Sequence, residues 1–106
     1  MYKLKFNNEV HNDLSKLSKS ILDEVTYYFK KYKQDPYKYS QKLHNQGDLN
    51  LEGYRKTYLA NATYRIVLKI ENNIAKIVEI VAIGKREKSE VYKDAYKRID
   101  ANNINS

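Results

Sequence analysis

Cysteine is missing altogether from the 106 residues, which excludes disulfides, thiolate nucleophiles and the thiolate-ligated zinc and iron sites. Tryptophan is missing too, and there are only three glycines and one proline. Three scattered glycines cannot build a phosphate-cradling loop, so nothing supports a nucleotide-cofactor enzyme. The longest apolar run is Ile80 to Ile83, far short of the ~20 residues that a membrane-spanning helix needs. With no apolar leader and no disulfides, a cytoplasmic location is expected. His11 and His44 stand alone, with no His-x-x-x-His pair and no acidic triad beside them, so neither a metal nor another cofactor is expected. No serine sits in the strained, glycine-flanked turn that a nucleophile elbow requires.

Lysine and tyrosine are what the chain has in quantity. Twenty Lys and Arg stand against 13 Asp and Glu, a formal charge of +7, and tyrosine makes 11 of the aromatic residues against two phenylalanines. Hydrophobic residues are 42% of the total, enough for one core in a single domain over 1–106, which at this size buries about 60–70% of its unfolded surface. The charge is +1 over residues 1–18, +3 over 19–42, +1 over 43–75 and +2 over 76–106. No basic tail exists, so any positive patch has to be assembled by folding, and a polyanion is the expected partner.

Periodicity divides the chain into a helical first half and a stranded second half. Tyr2, Leu4 and Phe6 alternate with lysines as in a half-buried strand. Asn8 is a plausible cap for a short helix carrying Val10, Leu14 and Leu17 on one face. Ser18-Lys19-Ser20 breaks it and caps a second helix with Ile21, Val25, Tyr28, Phe29 and Tyr32, so 8–33 reads as a helical hairpin. Asp35-Pro36 ends that hairpin, and 37–50 is polar and irregular, with Gly47-Asp48 as a turn. Gly53 to Leu59, Tyr64 to Ile70 and Ile74 to Ile83 are strand-like, joined by tight turns at Asn61-Ala62 and Asn72-Asn73. The last of these runs is apolar on both faces and belongs inside the sheet. A charged loop, Gly84 to Lys88, leads to a helix with Tyr92, Ala95, Tyr96 and Ile99 on one face, Ser89 as its possible cap, and a frayed end at 101–106. The expected fold is a two-layer α/β domain, β-α-α-β-β-β-α, with the hairpin on one face of a mostly antiparallel four-stranded sheet and Arg65 on the other.

Basic and tyrosyl residues gather at the strand ends: Tyr54-Arg55-Lys56, Tyr64-Arg65, and Lys85, Arg86 and Lys88 before Tyr92. A meander can bring them together on one sheet face. Solvated strand and turn residues, with Tyr92 in the core, are the plain alternative.

The segment Ile83-Gly84-Lys85-Arg86-Glu87-Lys88-Ser89-Glu90-Val91-Tyr92, with Ala95 and Lys97-Arg98-Ile99 after it, resembles the C-terminal end of RelE toxins of the RelE/ParE superfamily. Tyr64-Arg65-Ile66-Val67 and Tyr54-Arg55-Lys56 resemble that family's Tyr-Arg strand and the basic strand before it, and the element order matches over about residues 2–99. The resemblance implies the toxin of a type II toxin–antitoxin module. Such a toxin is a metal-independent, ribosome-dependent endoribonuclease, or mRNA interferase, that cuts mRNA in the ribosomal A site by 2′-hydroxyl attack and so inhibits translation. It implies as catalytic residues Arg65, Arg86, Tyr92 and Lys56, and as substrate-binding residues Arg55, Lys85 and Lys88. It also implies an acidic, partly disordered, RelB-like antitoxin as partner beside the ribosome and mRNA, and no action on a membrane or on DNA by itself. Thr63 stands where the family has glycine, and the family's lysine spacing falls on Arg55 and Thr57 rather than Lys56.

In that chemistry the two arginines suit stabilisation of a phosphorane. Tyr92 can stack on a base or hydrogen-bond the reacting groups. Lys56 or Lys85 is a candidate base, whereas Arg55 stays protonated. A ParE-type inhibitor that binds DNA gyrase and a non-catalytic RNA-binding module remain the alternative readings.

Overall fold

A strand that is apolar on both faces needs cover on both, and the helices divide so as to provide it. In chain order the elements are β1 (Lys3–Phe6), α1 (Val10–Ser15), α2 (Lys19–Gln34), β2 (Gln41–Lys42), β3 (Arg55–Leu59), β4 (Tyr64–Asn72), β5 (Lys76–Lys85), a single 3-10 turn (Glu87–Ser89) and α3 (Glu90–Asn105). The computed structural model describes residues 1–44 and 49–105, with side chains as far as Asp100; the expected Gly47-Asp48 turn lies outside the described residues. The sheet has five strands in the order β1-β5-β4-β3-β2. Every pairing is antiparallel except that of β1 with β5.

Four strands were expected, and β2 is the fifth. It is two residues long, paired through Gln41 with Lys56 and through Lys42 with Arg55. Two residues carry no periodicity, and only the free edge of β3 organises them. The other boundary differences have local causes. Gly53 has φ of +85°, outside the strand region, so β3 begins at Arg55. Ile74 is fully exposed in the β4–β5 turn, and β5 runs from Lys76 to Lys85 instead. Gly84 and Lys85, expected in the loop, remain in β5 opposite Arg65 and Tyr64. The first helix is capped at Glu9, not Asn8, with the Asn7 side-chain oxygen accepting from the Glu9 N–H at 2.9 Å. Ser18 caps α2 as expected, accepting from the Ile21 N–H.

A register shift between Val67 and Leu68 keeps two apolar sets on opposite sides of the sheet. Val10, Val25 and Tyr32 of the hairpin pack on Leu59, Ile66, Leu68, Val78 and Ile80. Val91, Tyr92 and Ala95 of α3 pack on Val67, Val81 and Ala82 across the sheet. Arg65 is on the α3 side, away from the hairpin, as expected. The two faces are tied at one point: Asp13 of α1 accepts from the Ile83 N–H at 2.9 Å and from both Arg98 terminal nitrogens at 2.7 and 2.9 Å. Arg98 also donates to the Val81 carbonyl at 2.8 Å, so α1, β5 and α3 share one buried ion pair. No described helix is long and apolar enough to cross a membrane.

Candidate functional site

Period two decides which basic residues meet. On β3, Arg55, Thr57 and Leu59 point one way and Lys56 and Tyr58 the other. Leu59 packs in the hairpin core and Thr57 accepts a hydrogen bond from Tyr32 of α2, so Lys56 and Tyr58 share the α3 side with Arg65. Tyr58 is the direct neighbour of Arg65, which is in turn the neighbour of Gly84. The chain then leaves the sheet through Lys85 and Arg86, turns at Glu87–Ser89 and begins α3, whose first turn carries Tyr92.

These segments enclose a cleft of about 850 Å³. Its walls are the β3–β4 turn and the 86–89 turn, and a backbone hydrogen bond from Arg86 N–H to Thr63 O, 2.9 Å, joins them. Thr63 also closes its own turn, its N–H and hydroxyl both donating to the Ala60 carbonyl, at 3.2 and 2.7 Å. Glu24 of α2 holds the same turn by accepting from the Ala60 N–H at 3.1 Å. Thr63 therefore fixes this turn through both its backbone and its side chain. Ala60, Asn61 and Ala62 on one wall and Lys88 and Ser89 on the other all have positive φ. Both rims are thus held in backbone conformations that cost roughly 1–2 kcal/mol per residue.

Arg65 is the floor. It is 6% exposed; its Cζ sits 4.2 Å from the Tyr58 ring centroid and 5.9 Å from that of Tyr92, and Nη1 donates to the Tyr92 hydroxyl at 3.3 Å. Its Nε is buried with no hydrogen-bond partner in the described structure. Two aromatic rings offset part of the cost of burying this charge, but no carboxylate pairs with it among the described residues. Lys56, Arg65, Lys85, Arg86 and Lys88 line the cleft against the single carboxylate of Glu87. None of the five is ion-paired among the described residues. A buried guanidinium at the base of a cationic cleft is arranged for a bound anion.

Six of the seven residues singled out in the sequence line this cleft: Lys56, Arg65, Lys85, Arg86, Lys88 and Tyr92. Arg55 does not. It faces the hairpin side, where it donates to Ser40 Oγ at 2.7 Å and to the Ser40 carbonyl at 2.8 Å and lies over the Tyr37 ring. There it pins the segment after α2 and does not line the cleft. Tyr92 is 3% exposed; its ring is part of the α3 core and only its hydroxyl edge serves the site. Burial raises its pKa, against the lowering effect of Arg65. Tyr58 was missed, although the alternation that places Lys56 on this face places Tyr58 there too. Its pKa is lowered, first by the Lys56 ammonium beside it, against the raising effect of burial, and then by the charges of Arg65 and Arg86. His11 and His44 are exposed, and no group of three or more His, Asp or Glu gathers as metal ligands among the described residues.

No family model matches the chain. Among known proteins it is 31% identical over 98 residues to a RelE-like toxin protein of Escherichia coli, covering 92% of this chain and 97% of that one. Among solved structures it superposes on the isolated RelE toxin of E. coli with a TM-score of 0.66 and 25% identity, covering 93% of this chain and 99% of the other. The toxin–antitoxin complex RelBE2 of Mycobacterium tuberculosis matches at 0.64 with 24% identity over 80% of this chain and 98% of the matched chain. The archaeal RelE–RelB complex of Pyrococcus horikoshii matches at 0.61 with 21% identity over 83% and 98%.

Proposed function

The chain belongs to the RelE-like toxin family, and on that premise we propose that it is the toxin of a type II module that cuts mRNA on the ribosome. The observation that carries this reading is Arg65: a guanidinium 6% exposed, its Nε without a partner, at the floor of a cleft lined by four more cations. RNA supplies its own nucleophile in the 2′-hydroxyl, so the protein needs to hold ribose and phosphate in line, accept a proton and stabilise the phosphorane. Arg65 receives the scissile phosphate. Arg86, exposed on the facing wall, adds a second fork of donors as charge builds on the phosphorane. Removing one such donor is worth about 10²–10³ in rate. Lys56, Lys85 and Lys88 attract the strand, and Tyr92 fixes Arg65 through its hydroxyl.

The test is purified protein added to translating ribosomes. Cuts at a fixed position within the A-site codon support the reading. Intact mRNA overturns it, and DNA breaks that depend on gyrase would assign the ParE-type activity instead. A chain of net charge +7 that degrades mRNA needs restraint, and the partner proposed is an acidic antitoxin segment, partly disordered alone, that orders on this surface. Co-purification with the product of a neighbouring gene checks this; a basic product without affinity for this chain counts against it.

A further inference from the structure

We propose that Tyr58 is the group that takes the proton from the attacking 2′-hydroxyl, a role that rests on the ribonuclease reading above. A proton acceptor in this cleft has to reach the ribose beside the phosphate that Arg65 holds, and the Tyr58 ring lies against that guanidinium, 4.2 Å from ring centroid to Cζ. The stacking fixes the plane of the ring, and the pairing of Tyr58 with Arg65 across β3 and β4 fixes its height in the cleft. Lys56 Nζ lies 5.2 Å from the same ring.

The other candidates are less well placed. Arg65 and Arg86 offer guanidinium donors and no acceptor. Tyr92 accepts the Arg65 hydrogen bond and is buried, which raises its pKa. Glu87 and Lys88 are exposed on the far wall, and Lys85 is exposed at the end of β5. The groups facing Tyr58 from the cleft are Lys56, Arg65, Arg86 and Tyr92, and across the β3 edge Lys38 and the phenols of Tyr28 and Tyr39 share a smaller hollow with it. Its nearest charged neighbours are cations that favour the phenolate, and its pKa is lowered accordingly.

The step balances. The Tyr58 phenolate takes the 2′-hydroxyl proton as the 2′-oxygen bonds to phosphorus and the bond from phosphorus to the 5′-oxygen breaks. A 2′,3′-cyclic phosphate remains. The departing 5′-oxygen takes a proton from water, and the Tyr58 phenol returns its proton to the hydroxide so formed.

Single-turnover cleavage of ribosome-bound mRNA, followed from pH 6 to 9 for the intact protein and for variants, is the test. The wild-type rate should climb with pH, because the deprotonated form is the active one. Tyr58→Phe keeps the ring on Arg65, so its melting temperature should hold, while cleavage slows on the order of 10²-fold or more and loses its climb with pH. Lys56→Met should keep the climb but displace it to higher pH, and 3-fluorotyrosine at position 58, a more acidic phenol, should displace it to lower pH. A Tyr58→Phe protein that cuts as fast as wild type with the same profile overturns the proposal, as does a climb abolished by Lys56→Met or Glu87→Gln and kept in Tyr58→Phe. A wild-type protein that cuts nothing overturns the ribonuclease reading itself and this inference with it.

Discussion

Replacing Arg86 removes a cation from the cleft wall without disturbing what that residue holds together, because its link to Thr63 runs through the backbone N–H. Arg86→Ala should leave unfolding free energy within ~0.5 kcal/mol of wild type and slow single-turnover mRNA cleavage about 10²-fold; a wild-type rate would remove Arg86 from the site. Tyr92→Phe is a different experiment. The ring is already packed at 3% exposure and is not free to stack on a base, so only the hydrogen bond that fixes Arg65 is lost. One such bond is worth roughly 1–1.5 kcal/mol, so cleavage should fall about tenfold, less than in Arg86→Ala. That Arg65, Arg86 and Tyr92 share one cleft was legible, because a contiguous motif carries two of them and a Tyr-Arg pair the third. Arg55 was expected beside these residues and faces the other way, and Tyr58 was overlooked, for one shared reason. Neighbours in a strand point to opposite faces, and adjacency to Tyr54 and Lys56 made Arg55 look like part of a patch it faces away from. What the sequence hid was which of the two alternating sets, 55-57-59 or 56-58, faced α3.

At the level of elements, the long apolar periods of α2, β4 and β5 were readable and the short or partner-dependent features were not. β2 exists only as a companion to β3. The cover of the second sheet face depends on Asp13, a polar residue on a six-residue helix that gives no sign of its partner 85 residues away. Side chains only 8% and 13% exposed form this pair, so breaking it leaves a buried charge. Asp13→Ala strands the Arg98 guanidinium and the Ile83 N–H together, and should cost about 3–5 kcal/mol in urea-induced unfolding. The double change Asp13→Leu with Arg98→Met should recover most of that loss, since well-packed apolar pairs often replace buried ion pairs without penalty. A single variant as stable as wild type would show that α3 is held by its apolar face alone.

For the molecule as a whole, the tyrosine content that marks the sequence becomes a dependence on alkaline pH. Tyr28, Tyr32, Tyr54 and Tyr92 all have raised pKa values, each with burial as the leading cause. Above pH ~10 the unfolded chain has released these phenolic protons while the folded chain retains them, so the folded state binds more protons and stability falls as pH rises. The contribution is complete below the unfolded value near 10 and is lost as pH climbs through the folded values. Each retained proton adds about 1.4 kcal/mol per pH unit to the slope. Tyr32, the most buried, dominates: Tyr32→Phe should flatten the decline between pH 10 and 11 in denaturant titrations, whatever it costs at neutral pH by losing its bond to Thr57. An unchanged slope would mean that Tyr32 ionises as readily folded as unfolded.

The clamp from Asp13 to Arg98 also has a consequence in time. Synthesis delivers the chain from its N-terminus, so β1, α1 and α2 emerge before the strands that cover them, and β1 waits for β5, the strand it pairs with. Arg65 and Tyr58 arrive together on one hairpin, but Tyr92 and then Arg98 come last, and contacts spanning 85 residues are among the slowest to close. Each new chain therefore passes through an interval in which its cationic strand ends are already exposed while the cleft has no far wall. In that interval the charge of the cleft precedes its geometry.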